Sequence, residues 1–199
     1  KFKVPNGFCI TVAPYLKFLK EEKLDKQIGA LLDNLDVSDS QKLDIISKNI
    51  RNQIINKEFP DYLRKEIIDN YKKLKNKKVA VRSSATAEDL PTASFAGQHD
   101  TFLNIEGEDQ LIDAVKKCWA SLFTTRAIYY RGRNNFNHES ALMSVVVQEM
   151  IDADFAGVVF TIDPVNKKHI LIEVVKGLGE ALVSGKVNPN KYIINHDKD

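Results

Sequence analysis

Hydrophobic residues recur at two different periods along this chain, and the change falls near residue 78. In VSDSQKLDIISKNIRNQIINKEF, Leu43, Ile46, Ile50 and Ile54 stand three or four residues apart. That spacing predicts a helix with one apolar stripe, capped by Ser38 or Ser40. From Pro60, PDYLRKEIIDNYKKLKNKK repeats the arrangement with Leu63, Ile67, Tyr71 and Leu74, and its lysine-rich end suits a helix C-terminus. Nearer the start, residues 8–12 read as a short strand. Pro14 can open the following helix, because the first turn has no intrahelical use for the N–H that proline lacks.

From Val79 the residues turn to strand types. VAVRSS, HDTFLNI, ALMSVVVQEM, FAGVVFTID, HILIEVV and KYIIN are candidate strands, with turn-like DPVNKK and GLGEALVSGKVNPN between the later ones. Two helices interrupt them. One runs from Glu108 to about Phe123, with Leu111, Ile112, Val115, Cys118, Trp119 and Leu122 on one face and acids at its start. The other is TTRAIYYRGRNN. Short strands in close succession predict an antiparallel sheet, so the fold class is α+β: mainly helical over 1–78, mixed over 79–140, sheet-rich over 141–199.

Charge changes this picture little. Residues 1–78 carry 17 Lys and Arg against 11 Asp and Glu, and residues 79–199 carry 12 against 16. The basic front spreads its lysines along helices among acids, with few aromatics between them, which argues for a solvated helical surface and against nucleic acid as a partner. No apolar run approaches bilayer length, and Pro5, Gly7 and Pro14 break the opening segment, so neither a membrane span nor a signal core is expected. Cys9 and Cys118 stand far apart with no CxxC, which fits reduced, buried thiols in a cytoplasmic protein. The four histidines stand singly, and none is assigned catalysis.

The densest candidate chemistry is RSSATAEDLPTASFAGQ, residues 82–98, which joins a cation, hydroxyls and glycine where a strand gives way to a loop. Phosphate recognition asks for those groups. Arg82 can fork onto phosphate oxygens, Ser83, Ser84 and Thr86 can donate hydrogen bonds, and Gly97 allows close backbone approach. No GxxxxGK[ST] is present, so the scaffold is not a P-loop. The alternative is a plain surface loop in which Arg82 pairs with Glu88 or Asp89. Those two acids can equally hold a basic side chain or a hydrated Mg²⁺. In SVVVQEMI, a strand ending at Gln148 and Glu149 places an amide and backbone groups where an adenine edge could be read, or where a strand simply reaches solvent.

Taken together, VAVRSSATAEDLPTASFAGQHDTFLN, KKCWASLFTTRAIYYR, VVVQEM, GVVFTIDP and GLGEALVSGKVNP resemble the nucleotide-binding domain of phosphoenolpyruvate synthases, also called pyruvate, water dikinases. The likeness runs from about residue 4 to 195. It implies an ATP-grasp fold that clasps ATP between two lobes. It further implies that Arg82 contacts phosphate, that Gly97 and Thr101 lie along the nucleotide, and that Gln148, Glu149 and Met150 line the adenine pocket. In that family ATP phosphorylates a histidine on a swivelling domain, which passes the phosphoryl group to pyruvate bound on another domain.

The family's glycine-lysine motif, expected before Val4, and its acidic Mg²⁺-binding strand, expected beyond Asp199, are not in the sequence. An incomplete domain, inactive alone, is therefore expected, with the main Mg²⁺ ligands outside it. Rifampicin phosphotransferases resemble it through the same module, and a non-catalytic nucleotide-binding module is a further alternative.

Overall fold

The structure, a computed structural model, describes residues 3–33, 35–75, 77–85, 89–90, 93–94, 100–165 and 167–195. They fall into two compact units, divided between Met150 and Ile151. In the first, the order is β1 (Gly7–Ile10), α1 (Val12–Glu21), α2 (Leu24–Leu32), α3 (Ser40–Asn56), α4 (Asp61–Lys73), β2 (Val79–Ala85), β3 (Asp89–Leu90), β4 (Ala93–Ser94), β5 (Thr101–Ile105), α5 (Glu108–Ala120), α6 (Thr125–Arg133) and β6 (Met143–Glu149). The second holds β7 (Phe155–Phe160), β8 (His169–Lys176), the short helix α7 (Glu180–Val183) and β9 (Asn190–Asn195). Every strand pairing is antiparallel, as the sequence pattern predicts.

The helix stripes become the core of the first unit. Leu43, Ile50 and Ile54 of α3, and Leu63, Ile67 and Tyr71 of α4, are all buried. The α3 cap differs from expectation. Asp39 receives the Lys42 N–H at 3.0 Å, because a carboxylate suits the positive end of a helix, while the Ser38 hydroxyl turns back to donate to Asp36. The segment 108–123 is helical only to Ala120 and then tightens into a 3₁₀ turn at Ser121–Phe123. Gly107 precedes that helix at φ +91°, a conformation costly for any residue with a Cβ, and donates its N–H to the Tyr71 hydroxyl. Around Trp119 of α5, which is fully buried, the rings of Phe18, Phe59 and Tyr15 stand 5.2, 5.5 and 5.6 Å away. Each such buried side chain contributes about 1.5–3 kcal/mol.

Four strands of this unit form one sheet in the order β1-β6-β2-β5. Phe8, Ile10, Val79, Val81, Val145 and Val147 belong to its packed face, which lies on α5. A bulge keeps β5 in phase: Val81 pairs with Phe102 but Val79 with Ile105, so β5 carries one extra residue, and Asn104 absorbs it at φ +58°. Without it Asn104, now exposed, would take the core position that Ile105 fills. Gly7 faces Gln148 across the β1–β6 ladder, and a Cβ there would stand 2.5 Å from the Val147 carbonyl oxygen. The second unit is the sheet β7-β8-β9, with Lys191 and Glu173 ion-paired across β8 and β9 at 2.8 Å. Its GLGEALVSGK segment, read as a turn, folds one helical turn as α7.

One cation lies inside the first unit. Arg131 of α6 is 2% exposed, donating to the Leu122 carbonyl at 2.6 Å and to His138 Nδ1 at 3.1 Å, with its guanidinium 5.8 Å from the Phe123 ring centre. Because His138 accepts at Nδ1, its neutral form carries the proton on Nε2. Burial, and then the Arg131 charge, hold its pKa down at about 4 against an ordinary 6.5.

Two outcomes are expected. Gly7→Ala should destabilise by about 1–3 kcal/mol, read as a lower denaturation midpoint, since backbone and not a flexible side chain stands in the way. The unfolded chain takes up the His138 proton near 6.5 and the folded chain only near 4, so stability should fall as pH drops through that interval and be complete above it. Urea titrations across pH should show that slope, weakened in His138→Gln.

Candidate functional site

Strand β2 runs through Ala85, so Arg82, Ser83 and Ser84 lie within a strand and not in the loop after it. Successive strand residues point to opposite faces, which sorts these three. Val79 and Val81 enter the core, while Arg82 and Ser84 are exposed on the other face. Ser83 turns with the valines, and its hydroxyl donates to the Asp100 carbonyl at 2.9 Å.

Neighbouring strands extend the open face. Arg82 is directly opposite Thr101 on β5 and Val146 on β6, and Val146 is opposite Cys9 on β1. Residues paired this way project from the same side of a sheet. One row across four strands therefore reads Cys9, Val146, Arg82, Thr101. The next row joins Gly7, Gln148 and Ala80, and on the other side Ser144 faces Ser84. Cys9, Val146 and Ser144 were not among the candidates from sequence, and Cys9, expected to be buried, is exposed because it lies on the outward phase of an edge strand, whereas Cys118 is buried as expected. The alternation in MSVVVQE carries the signal, but only with the register known.

The end of β6 is tied on both sides. Glu149 N–H donates to the Asn6 carbonyl at 2.8 Å and Met150 N–H to the Lys78 carbonyl at 2.9 Å, so neither donor is open to a ligand. The Gln148 amide nitrogen stands 3.5 Å from the Pro5 carbonyl, a weak contact. Glu149 shares the phase of the core face, and its carboxylate, 15% exposed, pairs with Lys77 at 3.3 Å. Gln148 is thus the polar side chain that this strand end offers to the open face.

Thr86 and Gly97 lie outside the described residues, as do Glu88 and His99. Among the described residues no ion pair engages Arg82. No group of three or more His, Cys, Asp or Glu able to hold a metal occurs among them either. Among the described residues the face thus presents a guanidinium, three hydroxyls and an amide. That donor set fits an anion, above all one with several oxygens.

The comparisons with known proteins agree in kind. The profile of the family described as "Pyruvate phosphate dikinase, AMP/ATP-binding domain" matches residues 1–199. The chain is 49% identical over 96% of its length to a probable phosphoenolpyruvate synthase of Methanothermobacter thermautotrophicus, of which it covers 29%. It is 48% identical over 98% of its length to a probable phosphoenolpyruvate synthase of Archaeoglobus fulgidus, covering 27%. Against the phosphoenolpyruvate synthase of Aeropyrum pernix it is 44% identical over 96%, covering 24%. The chain thus spans less than a third of the length of these relatives.

The opposed directions of Ser83 and Ser84 separate their roles. Ser83→Ala should cost about 1 kcal/mol in chemical denaturation through its lost hydrogen bond. Ser84→Ala, at an exposed position, should stay within about 0.5 kcal/mol of the parent.

Proposed function

The chain belongs to the family of pyruvate phosphate dikinase AMP/ATP-binding domains, and from that membership we propose that it is the ATP-binding part of a phosphoenolpyruvate synthase. The fold is the α+β, ATP-grasp-like kind that this family carries. The observation that carries the reading is the register of Arg82 with Thr101, on the same open face as Ser84 and Gln148.

In this reading ATP lies along that face. Arg82 forks onto the phosphate chain, Ser84 and Thr101 donate hydroxyls to it, and Gln148 meets the adenine edge. Thr86 and Gly97 complete the phosphate cover from the loop after β2. Met150 lines the adenine pocket with its side chain, since its N–H is already bonded. Ser83 and Glu149 act at one remove, holding the strand positions of their neighbours.

Phosphoryl transfer asks for in-line positioning and charge stabilisation more than for covalent help from the protein. A guanidinium set in the middle of a paired strand supplies both, since its backbone cannot swing away as charge shifts along the phosphates. Mg²⁺ bound to ATP would neutralise phosphate charge, and its main protein ligands would come from the longer polypeptide. The acceptor is a histidine on a swivelling domain of that polypeptide, which hands the phosphoryl group to pyruvate on a further domain. Phosphoenolpyruvate, AMP and phosphate result. The names of the relatives favour pyruvate over rifampicin as acceptor. The enzyme works in the cytoplasm, with no nucleic acid or membrane partner. Among the described residues no helix is long and apolar enough to cross a membrane.

The test is Arg82→Ala in the full-length enzyme. Pyruvate-dependent AMP release should fall about 100-fold or more, with the melting temperature unchanged. Near-normal turnover overturns the assignment. Calorimetric titration with MgATP should show binding to the parent enzyme and weakened binding to the variant.

A further inference from the structure

Away from the open face of the sheet, the first unit holds a cleft of about 1070 Å³ between α1, α2 and the turn before β6. That is room for a drug-sized molecule. Its walls are apolar: Leu19, Ile28 and Leu32 lie along it, and Leu16, 45% exposed, stands at its rim. The exposed charges at the mouth offset one another, Lys20 and Lys26 against Asp25 and Asp33.

The floor has a different character, because Tyr15 and His138 reach it and each brings a donor that the protein leaves unused. His138 Nδ1 accepts from Arg131, so its proton sits on Nε2, which has no hydrogen-bond partner among the described residues. The Tyr15 hydroxyl has none there either. Tyr15 is only 1% exposed, yet its hydroxyl is not among the unpartnered polar atoms sealed from water, so the cleft is where it opens. Burial raises the Tyr15 pKa against the pull of the Arg131 charge, which keeps the phenol protonated as a donor.

Behind both donors stands Arg131, close enough for its charge to act on each of them. Among the described residues no carboxylate pairs with it. Its partners are a carbonyl, an imidazole and a ring face, none of which carries a countercharge. Burial lowers its pKa only to about 10, so the positive charge is present at neutral pH. A buried charge without a counter-ion is costly, and one that stands beside an open cleft can be neutralised from there.

Two donors and one positive charge define a head group. A carboxylate offers two oxygens and one negative charge, whereas a phosphate brings more oxygens and more charge than this floor can meet. The walls define the rest. We propose that the cleft binds an amphipathic monocarboxylate, its head on the Tyr15 hydroxyl and the His138 Nε2–H in front of Arg131, its apolar body against Leu16, Leu19, Ile28 and Leu32. None of these residues belongs to the face that carries Arg82, so the site is separate from the ATP-binding reading and does not rest on it.

The test is equilibrium dialysis of the full-length enzyme against octanoate, octanol and acetate, all well below micelle-forming concentrations. Octanoate should bind at a single site. Octanol keeps the body without the charge and acetate keeps the head without the body, and each should bind at least about tenfold more weakly. Tyr15→Phe retains the ring and removes the hydroxyl, and should weaken octanoate about tenfold through one lost hydrogen bond to a charged group. Ala30→Trp fills the cleft from an exposed position of α2, and should abolish octanoate binding with the circular dichroism spectrum unchanged.

Equal binding of octanoate and octanol overturns the proposal, because the floor then selects no charge. So does octanoate binding that survives Ala30→Trp or is indifferent to Tyr15→Phe, and so does the absence of octanoate binding. Each of these outcomes leaves the ATP-binding reading standing.

Discussion

The two-residue alternation of β2 from Val81 to Ala85, held in the interior of its sheet, is the constraint from which the rest of the first unit follows. A strand paired on both sides can neither rotate nor slide without breaking two ladders, so the direction of each of its side chains is determined. Val79 and Val81 lock one face to α5. Arg82 and Ser84 are delivered to the other by the same geometry. Among the described residues no ion pair engages that cation.

That constraint is enforced from beneath. The fully buried Trp119, with Tyr15, Phe18 and Phe59 around it, joins α5 to α1 and to the segment before α4, and α5 in turn carries the valine face of the sheet. The bulge at Asn104 brings Ile105 opposite Val79 while Thr101 stays opposite Arg82, so both ends of β5 are in phase with β2. Arg131 does comparable work away from the site. Its buried guanidinium joins the 3₁₀ turn after α5 to the one before β6, through Leu122 and His138. Since all its described partners are uncharged, this link depends on His138 remaining neutral and able to accept.

Family membership and local geometry bear on different questions. The family match and the named relatives establish what kind of module this is. The register establishes which side chains share a face. The register sorts residues that lie side by side in sequence: Ser84 belongs to the open face, whereas the Ser83 hydroxyl donates to the Asp100 carbonyl. At the end of β6 the backbone donors are spent on Asn6 and Lys78, and Gln148 is the polar side chain that the strand end turns to the open face.

Read alone, the sequence determined the helices of the front half, the strands of the back half and their antiparallel pairing, and it marked Arg82 and its neighbouring hydroxyls as candidates. Those properties are local: a helical stripe such as Leu43, Ile50 and Ile54, or a cation among hydroxyls, is written in spacing and residue type. The folded chain decided the rest. That Asp39 rather than Ser38 or Ser40 caps α3, that β2 continues through Ser83 and Ser84, and that Cys9 shares a row with an arginine 73 positions later depend on pairings between distant segments. Strand periodicity says that neighbours face opposite ways. Only the register across the sheet says which way each of them faces, and beside what.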